Sequence, residues 1–329
     1  MLSRDDRRSR YLILTLLWVC AVLVAIACGG PNFVRSAPAN PTRAATPSGG
    51  VTRNVVLVSI DGLRPDAIAK FEAPTLLRLM QEGTYTLKAR TIDPSKTLPS
   101  HTSMLTGEPP ERHQVLWNDV ASAERDVIDL PNIFSVARSQ GYRTAAFFSK
   151  AKFQPLQREG TLDYSQAPGG WFGRWSSSRT VADAVNYLTD ARPNLLFVHL
   201  TDPDAAGHGS GWMSDAYGEG VRAADAALGR LLQATTATYG AGNYSVIVTA
   251  DHGGHGTNHG SADPRDVTIP WIAWGRGVKP GVLDSTSVRT MDTASTVLWL
   301  LGLNEPSDWA GTPLVQAFEA PVAFLSGPQ

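Results

Sequence analysis

A chain of 329 residues with 43% apolar and 18% charged side chains is long enough, and apolar enough, to bury the core of one large domain. Its 29 basic and 30 acidic residues nearly cancel, which gives no sign of a nucleic-acid-binding surface. The only cysteines, Cys20 and Cys28, stand near the N-terminus. A disulfide scaffold, a thiolate metal site and a cysteine nucleophile are therefore excluded from the rest of the chain.

Residues 1–28 read as a targeting segment. Arg4, Arg7, Arg8 and Arg10 precede an uncharged, mostly apolar run from Tyr11 to Cys28. The end of that run, Ala25-Ile26-Ala27-Cys28-Gly29, resembles a bacterial lipobox, in which the cysteine becomes the lipidated first residue. The alternative is an uncleaved signal anchor, since about 18 apolar residues just span a bilayer. Both place the following domain outside the cytoplasm and tie it to the membrane, because the arginines stay inside. Residues 29–53 are rich in Pro, Ala, Ser, Thr and Gly and read as a flexible linker.

A single catalytic domain is expected over residues 54–329. Asn54–Ile60 is a nearly unbroken Val/Leu/Ile run, which predicts a strand buried on both faces of a parallel sheet. Similar strands are predicted at Thr144–Ser149, Leu195–Leu200, Tyr244–Thr249 and Ile269–Trp274. Helical patterns alternate with them. Leu130–Gln140 follows Asp129 as N-cap with Pro131 in its first turn. Thr180–Asp190, Ser214–Ala234 and Thr293–Leu301 complete the set, the last capped by Asp292 and closed by Gly302. Strands alternating with helices predict a three-layer α/β/α sandwich around a mostly parallel central sheet.

Chemistry gathers at the carboxyl ends of those strands, the edge where open α/β sheets bind ligands. Asp61, the pair Asp202 and Asp204, and Asp251-His252 each lie just past a predicted strand. The spacing Asp204-Ala-Ala-Gly-His208 can aim both side chains at one point from a helical turn, and Gly253-Gly254 lets the chain turn after His252. Hard carboxylates, neutral imidazoles and one hydroxyl are what a two-metal phosphoryl-transfer site needs. Thr97 can supply the hydroxyl, but only with help, because threonine is a poor nucleophile near neutral pH. Pro99 suits the first turn of a helix through Thr106, whose free N–H groups and dipole could receive phosphate oxygens.

In chain order, Asp61-Gly62, Lys96-Thr97-Leu98-Pro99, Asp204 with His208, Asp251-His252-Gly253 and His259-Gly260 resemble the alkaline phosphatase superfamily. Within it the resemblance is to the type I phosphodiesterase/nucleotide pyrophosphatase family, and it covers roughly Asn54 to Leu314. It implies two zinc ions, replaceable by other divalent metals, and a phospho-threonine intermediate on Thr97. It also implies that Asp61, Thr97, Asp251 and His252 serve one metal, and Asp204, His208 and His259 the other. Asp202 competes with Asp204 for this role, and His255 with His259. His113-Gln114-Val115-Leu116-Trp117-Asn118 resembles the family's His-Gly-x-x-x-Asn stretch, whose asparagine bonds a phosphoryl oxygen, with Gln114 in place of the glycine.

The implied activity is hydrolysis of a small phosphoester, a nucleotide or a lipid head group, by a phosphodiesterase/pyrophosphatase. A phosphomonoesterase and a phosphotransferase to a lipid or glycan acceptor are the alternatives. A sulfatase is not expected, since neither cysteine nor serine stands at position 97. Leu98 occupies the place where nucleotide-cleaving relatives carry an aromatic. Trp117, Trp171, Trp175 and Trp212 remain as stacking faces, and Arg64 as a phosphate contact or a surface ion pair. His101, His113 and His199 are expected to be structural.

Overall fold

The computed structural model describes residues 50–123, 128–157, 159–170, 173–283 and 287–319. The predicted targeting segment, most of the linker and Trp171 lie outside the described residues. Among those described, no helix is long and apolar enough to cross a membrane.

The unbroken apolar run becomes β1, Val55–Ile60, and every residue of it is buried. The other apolar runs become β3 (Thr144–Phe147), β5 (Leu195–Leu200), β6 (Ser245–Thr249) and β7 (Thr268–Gly275). Three further strands were not read from the pattern: β2 (Thr84–Arg90), β4 (Tyr164–Gln166) and β8 (Gly281–Val282). Together they form one eight-stranded sheet in the order β4-β3-β5-β1-β6-β7-β2-β8. β4, β3, β5, β1 and β6 run parallel, while β7 pairs antiparallel with both β6 and β2. The sheet is thus mostly parallel, and β1 sits between β5 and β6 in its middle.

Helices cover both faces. The labelled ones, in chain order, are α1 (Pro65–Lys70), α2 (Pro74–Glu82), α3 (Thr97–Thr106), α4 (Ile133–Ser139), α5 (Ser177–Ala191), α6 (Asp202–Ser210), α7 (Asp215–Tyr239) and α8 (Asp292–Leu301). α7 packs on α2, α5 and α6 in one layer, and α8 packs on α3 and α4 in the other. This is the expected α/β/α sandwich.

Two helix caps differ from expectation. α4 is capped by Asn132, not Asp129: the Asn132 side chain accepts from the N–H groups of Phe134 and Ser135, and Ser135 Oγ accepts from Asn132 N–H. That reciprocal box satisfies three donors at once, which a cap at Asp129 ahead of Pro131 would not. Asp292 is the first residue of α8, and Met291 is its cap. The Asp292 carboxylate instead accepts from the N–H groups of Arg289 and Thr312, pinning two loops. Residues 50–52, read by composition as linker, are buried, and Val51 and Thr52 both donate to the Leu300 carbonyl.

Candidate active site

Four adjacent parallel strands, β3, β5, β1 and β6, deliver the site from their carboxyl ends. β1 runs straight into Asp61, whose N–H continues the ladder to Leu200 O at 2.8 Å. β5 runs into α6, and Asp204 N–H closes back on Asp61 O at 3.1 Å. β6 leads to Asp251, whose Oδ1 accepts from Gly62 N–H at 3.1 Å and from His252 N–H at 3.0 Å. The acids are therefore placed by backbone bonds between neighbouring strand ends, and Asp61, Asp204, Asp251 and His252 are all buried.

The imidazoles are set up to offer lone pairs. His252 Nδ1 donates to Gly253 O at 2.8 Å, His208 Nδ1 to Thr257 O at 2.9 Å, and His259 Nδ1 to Ser95 O at 2.8 Å. A ring whose Nδ1 carries the proton presents an unprotonated Nε2, the form that binds a metal. His252 Nε2 lies 3.5 Å from Asp61 Oδ1, 3.3 Å from Asp251 Oδ2 and 3.3 Å from Thr97 Oγ1. His208 Nε2 lies 3.3 Å, and His259 Nε2 3.8 Å, from Asp204 Oδ1. Burial pushes the His252 imidazolium down, and burial with the neighbouring His252 pushes His259 down to about 3. His208, half-exposed, is drawn up by its contact with Asp204.

Opposite those lone pairs stand more lone pairs. Asp61 Oδ1, Asp204 Oδ1 and Asp251 Oδ2 are buried and accept no hydrogen bond. Buried carboxylate oxygens facing unprotonated nitrogens are repulsive unless a cation lies between them. The donor atoms fall into two groups that could each hold a metal ion, Asp61–Asp251–His252 and Asp204–His252–His259. His252 stands in both. Carboxylate and imidazole without thiolate suit zinc and other borderline or hard divalent ions.

Contacts show where several other candidates stand. His255 Nδ1 is 2.7 Å from Asp266 Oδ1, away from both groups, while His259 stacks on His252 at 3.6 Å between ring centroids. Asp202 accepts from Ser177 N–H at 3.0 Å and takes no part. Arg64 pairs with Asp66 at 2.6 Å and donates to Gly254 O, which is the ion-pair alternative of its two expected roles. Trp212 is a pillar and not a stacking face: it is buried, donates to Gly62 O at 2.9 Å, and lies where any Cβ at Gly207 or Gly254 would strike its ring. Trp175 is covered by the Arg179 guanidinium.

Beneath the site, His199 donates to Asp61 Oδ2 at 2.9 Å while accepting from Ser149 Oγ at 2.6 Å. His101 donates to Thr97 O at 2.7 Å and accepts from Ser59 Oγ at 2.8 Å. These two buried rings orient Asp61 and the turn that carries Thr97.

The start of α3 corrects one expectation. Leu98 N–H is taken by Asn118 Oδ1 at 2.9 Å, Pro99 has no N–H, and Ser100 N–H closes on Lys96 O. The turn offers fewer free donors than its position suggested. In exchange, Asn118 is held by its oxygen, and its Nδ2 bonds to no described residue. Gln114 makes the turn that presents Asn118 with φ 57°, a left-handed conformation that glycine adopts at less cost.

The residue that sequence reasoning missed is Lys150. Its Nζ lies 2.6 Å from Asp61 Oδ2 and 2.5 Å from Asp204 Oδ2, joining the two candidate metal-binding groups. Burial pushes the Asp61 carboxyl up, but Lys150 and the His199 hydrogen bond outweigh it and hold the group well below the usual carboxylate range. Burial and repulsion from Asp61 push Asp251 well above that range. The signal was available: Lys150 lies past the end of β3 just as the acids lie past β1, β5 and β6. A cavity of about 320 Å³ opens over these groups, lined by Thr97, Asn118, Lys150, Asp204, His208 and His259 among others. A larger depression of about 520 Å³ at the β4 edge, around Tyr164 and Arg179, contains none of them.

The family model described as type I phosphodiesterase / nucleotide pyrophosphatase matches residues 55–267. GPI ethanolamine phosphate transferase 1 of Candida glabrata is 24% identical over 84% of this chain, which spans 34% of that protein. The bis(5'-adenosyl)-triphosphatase enpp4 of Xenopus laevis is 26% identical over 72% of this chain, which spans 52% of it. Among solved structures, an inactive murine ectonucleotide pyrophosphatase/phosphodiesterase 5 in complex with AMP superposes with a TM-score of 0.64. It is 18% identical, and the match covers 77% of this chain and 96% of that one.

Proposed function

The chain belongs to the type I phosphodiesterase / nucleotide pyrophosphatase family, and we propose that it hydrolyses phosphodiesters and pyrophosphates with two zinc ions and Thr97 as nucleophile. The observation that carries this reading is the convergence of three orphaned carboxylate oxygens and three Nε2 lone pairs beside Thr97 Oγ1. Asp61, Asp251 and His252 would hold one ion beside Thr97, and Asp204, His208 and His259 the other. When bound, such ions lower the pKa of a hydroxyl or water and offset charge on the leaving oxygen.

The chain's own groups supply the rest. Thr97 Oγ forms a bond to phosphorus as the bond to the leaving ester oxygen breaks, and the leaving group departs with a proton. Water then attacks the phospho-threonine, which releases phosphate or its ester and restores the Thr97 hydroxyl. Asn118 Nδ2 faces the cavity and donates to an equatorial oxygen, where charge gathers in both steps. His101 fixes the Thr97 carbonyl, which holds the attacking oxygen in line with the cavity.

The purified protein is tested on bis-p-nitrophenyl phosphate, with chelator and with zinc restored. Chelator should abolish turnover and zinc should return it. Thr97→Ala should lose about 10³-fold or more in kcat while its zinc content stays at the wild-type level. Turnover retained in that variant would sink the reading. The likeness to an ethanolamine phosphate transferase supports a second one, in which an alcohol replaces water in the second displacement. Added ethanolamine or glycerol would then appear as phosphorylated product. For the N-terminus we propose extracytoplasmic tethering through residues 1–28, checked by labelling cells with radioactive palmitate: label lost in Cys28→Ala supports lipidation, and no label favours a signal anchor.

A further inference from the structure

The depression at the β4 edge gathers groups that the Thr97 site does not use. α5 turns Ser177, Thr180, Val181, Ala184 and Leu188 into the core at helical spacing. The adjoining stripe, Arg179, Asp183, Asn186, Tyr187 and Asp190, comes to lie beside β4, where Tyr187 meets Tyr164. With Tyr164 and Gln166 it lines a hollow of about 520 Å³, a volume within the range of small-ligand sites. β4 is the edge strand and is separated from β1 by β3 and β5, so the hollow is distinct from the cavity over Thr97.

Its wall is built in advance of any ligand. The Tyr164 and Tyr187 rings stack with centroids 4.2 Å apart and planes 18° apart, and Phe147 lies 5.5 Å from one and 5.9 Å from the other. Rings fixed in this way can receive a ligand at little ordering cost. The Arg179 guanidinium is exposed but held in place: Nε donates to Asp183 Oδ2 at 2.8 Å, and the Trp175 ring centroid lies 5.0 Å away. Gln166 is 5% exposed, yet its side-chain amide bonds to no described residue. A nearly buried amide with neither its donor nor its acceptor matched is costly. A ligand that both donates and accepts would match it.

Charge and polarity select the class of that ligand. One arginine stands against two carboxylates, Asp183 and Asp190, and Asp190 forms no ion pair with a described residue. A lining with more negative than positive charge disfavours phosphates, nucleotides and acidic membranes. Leu77, Leu116, Val282 and Val315, the exposed large apolar side chains among the described residues, all lie elsewhere, which disfavours an acyl chain or an apolar peptide. What matches a tyrosine wall ringed by amides, carboxylates and a guanidinium is a neutral ring carrying many hydroxyls. Each hydroxyl donates and accepts at once, and the C–H face of the ring can rest on the aromatic surface.

We infer that the hollow between β4 and α5 is a binding site for a neutral oligosaccharide. The inference does not depend on the chemistry at Thr97. The full chain is titrated by calorimetry with cellotetraose and with tetra-N-acetylchitotetraose, whose equatorial substituents leave flat C–H faces on each ring. At least one should bind saturably, with little dependence on salt because no net charge is exchanged. The exposed double variant Asn186→Ala/Asp190→Ala should weaken that binding about 10-fold or more, with wild-type Tm and zinc content. Gln166→Leu, which keeps most of the volume and removes the amide, should weaken it by a similar factor. Absence of saturable binding of both saccharides at about 10 mM overturns the inference. So does binding that the double variant leaves undiminished, or binding that inorganic phosphate displaces, which would place the saccharide in the Thr97 cavity.

Discussion

At the scale of single residues, His255 and His259 show how a site sorts near-identical groups. They lie four positions apart after Asp251-His252, and spacing alone leaves both available to a metal. Asp266 takes His255 at 2.7 Å, and Ser95 O takes the Nδ1 proton of His259, turning its Nε2 toward Asp204. The two alanine variants should therefore separate. His259→Ala should lower bound zinc from two equivalents to about one and remove turnover, since a metal site short of one ligand binds far more weakly. His255→Ala should keep its zinc and lose stability by about 1–3 kcal/mol, because the buried Asp266 is left with an unmatched oxygen. Zinc counted by atomic absorption decides it. Loss of metal in His255→Ala with full metal in His259→Ala would reverse the assignment. Most of the site could be read from residues: Asp61, Asp204, Asp251 and His252 each follow an apolar run that predicts a strand. Lys150 follows β3 by the same rule, but lysine is not a metal ligand, so a search for ligands does not reach it. The bridge between residues 150 and 174 could not be read, since it is a tertiary fact.

At the scale of elements, what the pattern showed and what it hid have one cause. β1 and β5 are buried along their whole length and read as continuous apolar runs. β2, Thr-Tyr-Thr-Leu-Lys-Ala-Arg, is buried on one face only and carries Lys88 and Arg90, so it reads as surface. β4 has three residues and α1 has six, too few for any period to show. The segment from α3 to Asn118 is held by His113, which accepts from Val115 N–H at 3.0 Å and meets Ser103 Oγ at 2.9 Å. Burial pushes its imidazolium from 6.5 down to about 4. The folded chain thus keeps His113 neutral where the unfolded chain protonates it. Its contribution to stability is whole above pH 6.5 and disappears as pH falls toward 4. His113→Gln cannot titrate there. The variant should be less stable than wild type at pH 7, and the gap in Tm should shrink on acidification through that window. A gap that stays constant would mean that His113 does not titrate as its burial requires. His101 and His199 are also pushed down by burial, but they are common to both proteins and cancel from the comparison.

At the scale of the whole molecule, three buried carboxylates at the middle of one sheet edge are a liability that the fold offsets with cations. Lys150 is the lysine in direct contact with two of them among the described residues, with a side chain 10% exposed and both partners buried. Burial works against its charge, but Asp204 and Asp61 outweigh it and hold the ammonium above its ordinary range. Metal ions bound at the two ligand groups would bring more positive charge than one ammonium, so the loaded protein depends less on Lys150 than the stripped one. Ligand bound at about 1,000 times its Kd adds about 4 kcal/mol by mass action, so chelation should lower Tm in wild type. Lys150→Met keeps the length of the side chain and removes the charge. In chelator, breaking a buried pair by deleting one partner should cost about 3–5 kcal/mol, because Asp61 and Asp204 then face each other uncompensated. With zinc restored, most of that loss should be recovered. The chelator-induced fall in Tm should therefore be larger in Lys150→Met than in wild type, measured by calorimetry at one pH and one zinc concentration. Equal falls would show that Lys150 and the metals do not neutralise the same carboxylates, and the site would then need another account of how Asp61 and Asp204 stay ionised side by side.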